Sequence, residues 1–182
     1  LGNDGDFQDR RFVDIINNDL ANTIGNLLNR TSSMSRKWFD NKVPTNEKIS
    51  SENKLEFLCK KSVENYIDKF NNYNLDLAAN EVLNLAINTN LYLNNNQPWI
   101  LIKEKDNLPI VKEIIYNVLE STRIIGLLLQ PLLPELSSKI NDQLGSIYKK
   151  EVPWVNQLKW GLLIGNSNLP KPIPIINKLE YE

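Results

Sequence analysis

The stretch from Ile110 to Leu129 places the tightest limit on what this chain can fold into. Ile114, Ile115, Val118, Leu119, Ile124, Ile125, Leu127, Leu128 and Leu129 follow one another closely. Wound at about 100° per residue, they cover most sides of a helix. Such a helix is stable in water only when other helices surround it. The rest of the chain offers those neighbours. Its apolar residues recur at helical spacing almost throughout, and strand-like alternation is rare and short.

Four further helices are expected around this centre. A long first helix should run from Gln8 to about Lys37, burying a stripe of Phe12, Ile16, Leu20, Ile24, Leu27, Leu28 and Thr31. Pro44 breaks the chain, and a second helix follows from about Glu47 to Phe70. Asn71 to Asn74 form a turn into a third, from about Leu75 to Asn94, which must stop before Pro98. Pro109 suits the first turn of the apolar helix, and Gln130-Pro131 ends it. A fifth, from about Pro134 to Leu144, is closed by Gly145. After Ser146 the spacing of Pro153, Pro170, Pro172 and Pro174 leaves no room for a long helix. An extended tail is expected to lay Trp154 and Trp160 against the bundle, with one short helix near Val152 to Leu158. The chain reads as all-α and as a single domain: a bundle of about five helices over residues 1–145 and a packed tail over 146–182.

Composition narrows the function classes. The 182 residues carry a net charge of −1, with 41% hydrophobic and 24% charged residues, as a globular chain with a real core does. There is no histidine, which removes the usual general base and the commonest metal ligand. Cys59 is the single cysteine, so neither an internal disulfide nor a thiolate metal cluster is available, and a reducing compartment is expected. No glycine-rich phosphate loop occurs. No apolar run approaches the ~20 residues of a membrane span. The polar, acidic start, Leu1 to Asp6, is unlike a signal peptide. It also lacks an initiator methionine, so the chain is expected to be a piece of a longer protein.

A near-neutral balance argues against coating nucleic acid by bulk charge. The charge is uneven, however. Between Leu20 and Lys61 stand Arg30, Arg36, Lys37, Lys42, Lys48, Lys54, Lys60 and Lys61, against Asp40, Glu47, Glu52 and Glu56. That suits a focused phosphate contact as well as it suits an ordinary solvated face. Glu47, Glu52 and Glu56 have neither histidine nor nucleophile to work with and read as surface charges.

Two short motifs carry more chemistry. In Asn26-Leu27-Leu28-Asn29-Arg30 an amide and a guanidinium stand one helical turn apart, about 6 Å at the backbone. Read as α-helix, Asn22, Asn26, Arg30 and Lys37 form a polar column beside the apolar stripe. In Gln97-Pro98-Trp99 proline stops a helix and fixes where the indole points. Amides and guanidinium supply directional donors, and an indole supplies a stacking plate, which are the means of reading unstacked RNA bases. Each motif also has a plain reading: a surface column, and a space-filling aromatic. Trp38, Trp154 and Trp160 have no matching polar partner nearby and are read as structural.

Asn3-Asp4-Gly5-Asp6-Phe7, Arg11-Phe12, Asn18 to Asn22, Gly25 to Arg30, Pro98-Trp99, Gly126 to Pro134 and Trp160 to Leu163 together closely resemble methionyl-tRNA synthetases, in the segment after their catalytic domain. The likeness runs through essentially the whole chain. The first blocks and Gln97-Pro98-Trp99 are specific, while the leucine-rich block is shared with other class I synthetases. The resemblance implies a helical anticodon-binding domain, with Asn26, Arg30 and Trp99 as the residues that meet the CAU anticodon of methionine and initiator tRNA. It implies that Trp99 stacks on the first anticodon base, with Asn26 and Arg30 on the same loop. Lys37, Lys42, Lys60 and Lys61 are candidates for phosphate contacts.

The ATP-binding signatures and zinc knuckle of that family are not in this sequence. The chain itself is therefore expected to hold no catalytic residue, cofactor or metal. ATP and methionine would bind the catalytic domain of the parent enzyme. Expected partners are tRNA and that catalytic domain, with no membrane and no DNA, in the cytoplasm or in an organelle stroma or matrix. The alternatives are the same domain from a leucine, isoleucine, valine or cysteine synthetase, or a helical scaffold that binds protein.

Overall fold

The computed structural model describes residues 8–45 and 53–180. A rod over residues 9–38 comes first. It is α-helical in α1 (Asp9–Asp14), π-helical over Ile15–Gly25, and α-helical again in α2 (Asn26–Trp38). Then come α3 (Lys54–Asn71), α4 (Leu75–Asn96), the single turn α5 (Pro98–Leu101), a 3₁₀ turn Lys105–Asn107, α6 (Leu108–Leu129), α7 (Pro134–Gln143) and the single turn α8 (Trp154–Gln157). Among the described residues the only β feature is one isolated bridge between Lys42 and Asn168. The expected all-α bundle is what the chain adopts.

α6 lies at the centre. Every residue from 113 to 129 is buried, and α2, α3, α4 and α7 all pack against it. Gly126 lets α7 come close: a Cβ there would stand 2.8 Å from Cγ2 of Ile140 and would collide with the Tyr148 hydroxyl. The helix begins at Leu108 rather than Ile110, and Ile110 is exposed. α3 starts at Lys54, where the Asn53 side chain accepts from the Glu56 N–H at 3.1 Å. The expected start of that helix at Glu47 falls outside the described residues. Tyr73, with φ at 59°, turns the chain from α3 into α4, which runs two residues past Asn94.

Several polar groups inside the bundle are partnered across helices. Ser121 of α6 meets Thr89 of α4 at 2.7 Å and receives the Cys59 thiol of α3 at 3.4 Å. Asn53 donates to Asn117, which donates to the Tyr92 hydroxyl. None of this was visible as helical periodicity, which marks only the apolar positions.

The first rod departs from expectation in two ways. The apolar stripe is buried only from Ile24 onward. Phe12 is 47% exposed, and Ile16 and Leu20 are half-buried, because α1 extends past the bundle and buries no residue. The middle of the rod is also not α-helical. π-helical bonding links residues five apart rather than four, and the Thr23 hydroxyl accordingly donates to the Asn18 carbonyl at 2.8 Å. The α-helical column drawn through Asn22, Asn26 and Arg30 therefore holds only from Asn26 on.

The tail, past Gly145 at φ +91°, is bonded to the bundle along its length. Trp154 Nε1 donates to the Leu127 carbonyl at 2.9 Å. The backbone of 161–163 is held by Glu120 of α6. Val43 exchanges bonds with Ser167 and Asn166. At its far end, Asn17 in the π-helical turn donates to the Leu179 carbonyl and accepts from the Leu179 N–H, at 2.9 and 2.8 Å. The tail thus returns to the first rod.

Candidate nucleic-acid interface

Trp99 is placed by a sharp reversal between α4 and α5. Gln97 ends α4 in the left-handed region, with φ 43° and ψ 55°, and its carbonyl accepts from Ile100 N–H at 2.8 Å. A residue with a Cβ pays about 1–2 kcal/mol for that conformation, and such positions gather at functional sites. Pro98 then occupies the first turn of α5, where its missing N–H costs nothing, and is itself buried. The indole that follows is 37% exposed. The residue is partly seated and partly open to solvent.

Arg30, in the second turn of α2, meets that indole. Its guanidinium carbon lies 5.7 Å from the ring centroid, a cation–π contact. Its Nη2 donates to Oδ1 of Asn94 at 3.1 Å, in the last turn of α4. One hydrogen bond leaves most of the guanidinium's donors available. The pair therefore sets a charged fork of donors over the ring of a partly exposed indole. Asn26 is exposed one turn before Arg30. It lies with Asn22 and Asn29 along a cleft whose other wall is tail residues Pro174, Ile175, Ile176 and Lys178. Arg30 and Trp99 are thus in direct contact, while Asn26 reaches the same face through its position on α2.

Asn94 and Asn90 are the residues that sequence reasoning missed. Asn94 orients Arg30. Asn90 donates to the Thr23 carbonyl at 3.1 Å and so ties α4 to the π-helical turn. Both sit in an asparagine-rich sequence where no single asparagine stands out. Of the candidate phosphate contacts, Lys37, Lys42 and Lys61 are exposed, and Lys60 pairs with Glu56 at 2.7 Å. Cys59 is buried, and desolvation pushes its thiol from 9.0 to about 12, which keeps it protonated and unreactive. Among the described residues no group of three or more Cys, Asp or Glu is placed to hold a metal, and no helix is long and apolar enough to cross a membrane.

The helical bundle has known counterparts. Residues 43–166 match the family model of an anticodon-binding domain. More specifically, the chain belongs to the family described as the anticodon binding domain of methionyl tRNA ligase. It is 37% identical to the methionine–tRNA ligase of Nostoc sp. over 99% of this chain and 35% of that protein. Against the enzyme of Halalkalibacterium halodurans the identity is 34%, over 100% and 28%. The free-state crystal structure of methionyl-tRNA synthetase from Mycobacterium tuberculosis superposes with a TM-score of 0.81 at 28% identity, covering all of this chain and 36% of that one. The chain spans about a third of the length of these relatives.

Proposed function

We propose that this chain reads the CAU anticodon of methionine and initiator tRNA for a methionine–tRNA ligase. In this reading Trp99 stacks on a base pulled out of the anticodon loop. Arg30 and Asn26 bind the same loop through their donors. The carrying observation is the Arg30–Trp99 contact at 5.7 Å on an indole left 37% exposed. A ring meant only to fill space would be covered; this one stays partly exposed and carries a charged fork over it. Specificity rests on a few directed contacts, which fits a net charge of −1. Exposed lysines such as Lys37 and Lys42 would position the phosphate backbone without reading sequence.

Activation of methionine with ATP belongs to the upstream part of the parent enzyme, and this chain alone should not catalyse it. The cytoplasm, or an organelle stroma or matrix, is where such a ligase would work. The test is a titration of the chain with anticodon stem-loops, followed by tryptophan emission. A CAU loop should quench the emission and bind saturably, more tightly than a scrambled loop. Equal binding of both loops, or none of either, would overturn the reading.

A further inference from the structure

The cleft beside Asn26 has a composition of its own. One wall is the end of the π-helical turn and the start of α2, with Asn22, Gly25, Asn26 and Asn29. The other is the tail, with Pro174, Ile175, Ile176 and Lys178. The volume is about 300 Å³, enough for a single nucleobase. The cleft lies one helical turn from Arg30, so it adjoins the tryptophan site.

Its walls are fixed. Ile175 is buried at 4% exposure, and the Ile173 N–H donates to Oε1 of Gln143 at 3.0 Å. Past the cleft the two reciprocal bonds between Asn17 and Leu179 pin the tail to the rod. Lys178 therefore sits between two anchored points, with its own side chain exposed. On the facing wall the π-helical turn changes the spacing of the amides, and such turns recur at functional sites.

Three neutral amides offer paired donors and acceptors to the edge of a base. Pro174 and the half-buried Ile176 offer an apolar surface to its face. A lone ammonium at the mouth suits one phosphate. Together they match a single nucleotide: a neutral base with one negative charge attached. We propose that this cleft takes the nucleotide next to the base stacked on Trp99, its base toward Asn22, Asn26 and Asn29 and its phosphate toward Lys178. The C-terminal tail is then a wall of the RNA site. This rests on the anticodon-reading proposal above and adds the tail and a second nucleotide to it.

The experiment measures binding of the CAU stem-loop, and of a scrambled loop, to the chain and to Lys178→Gln, Lys178→Arg, Asn29→Ala and Trp99→Ala, across a series of salt concentrations. Lys178→Gln should weaken binding several-fold for both loops and lower the log–log salt slope by about 0.7, the share of one single-strand phosphate. Lys178→Arg should restore both. Asn29→Ala should narrow the preference for CAU without changing the salt slope. The melting temperature of Lys178→Gln should match that of the parent chain, since its side chain is exposed. If Lys178→Gln and Asn29→Ala bind like the parent while Trp99→Ala loses binding, the cleft proposal fails and the anticodon reading stands. If the parent chain does not prefer CAU, the anticodon reading fails and the cleft proposal falls with it.

Discussion

Glu120 and Arg123 stand one turn apart on α6 and form a two-pronged ion pair inside the protein. Arg123 Nε lies 2.8 Å from Oε2 and Nη2 lies 2.7 Å from Oε1, with the side chains 4% and 0% exposed. Neither charge depends on the other alone. The Glu120 oxygens also accept from the N–H groups of Gly161, Leu162 and Leu163, at 2.6 to 3.0 Å. Arg123 also donates to the carbonyls of Gln157 and Lys159. A buried pair is tolerated when its remaining hydrogen-bonding capacity is met, and here the tail backbone meets it.

Glu120→Gln is therefore expected to be among the most damaging single changes. It leaves the buried Arg123 charge uncompensated and weakens the hold on the tail. The expected loss is about 3–5 kcal/mol, read as a fall in the urea midpoint.

Gly126→Ala should destabilise the bundle by about 1–3 kcal/mol, because the added carbon overpacks the contact with Ile140 and Tyr148. Combining it with Tyr148→Phe removes the nearest obstructing atom and should recover part of the loss. Thermal melts of the single and double variants check this.

Trp99→Ala should lower affinity for a CAU loop by about 1–3 kcal/mol. Arg30→Lys keeps the charge but loses the planar fork, and should cost a similar amount on CAU with little effect on a scrambled loop. Asn94→Leu removes the bond that orients Arg30 and should give a smaller loss. Stem-loop titrations distinguish the three, and urea melts should show the Trp99 variant still folded.

Alkaline pH should unfold the protein in part through Cys59. Burial raises its folded pKa from 9.0 to about 12, so the folded state keeps a proton that the unfolded state releases. This contribution is full below about pH 9 and is lost as pH rises toward 12, at about 1.4 kcal/mol per pH unit. Tyr66, raised from 10.0 to about 12 by burial, acts in the same direction. Cys59→Ala should show a shallower fall in stability over that range, measured by urea melts at stepped pH.

Apolar spacing located the central helix and its neighbours, because burial of α6 is what periodicity reports. Its ends and polar contents were less legible. Asn117, Glu120 and Arg123 are as buried as the leucines around them, since each is matched by a distant partner or by tail backbone. The π-helical turn escaped notice because its sequence has ordinary helical residues. One of its carbonyls, that of Thr23, also accepts from Asn90, 67 positions away. At the candidate site, Asn26, Arg30 and Trp99 stood out through Pro98 and family likeness. Asn94 and the tail wall did not, because tertiary contact alone brings them there.

The rod over 9–38 behaves like a screw whose thread changes pitch between Ile15 and Gly25. Removing one residue from that interval would let the thread close to the ordinary pitch while α2 kept its seat against α6. Everything ahead of Ile15 would then swivel by about 100°, carrying Phe12 to another side of the axle. The irregular turn thus sets the bearing of whatever the rod's leading end supports.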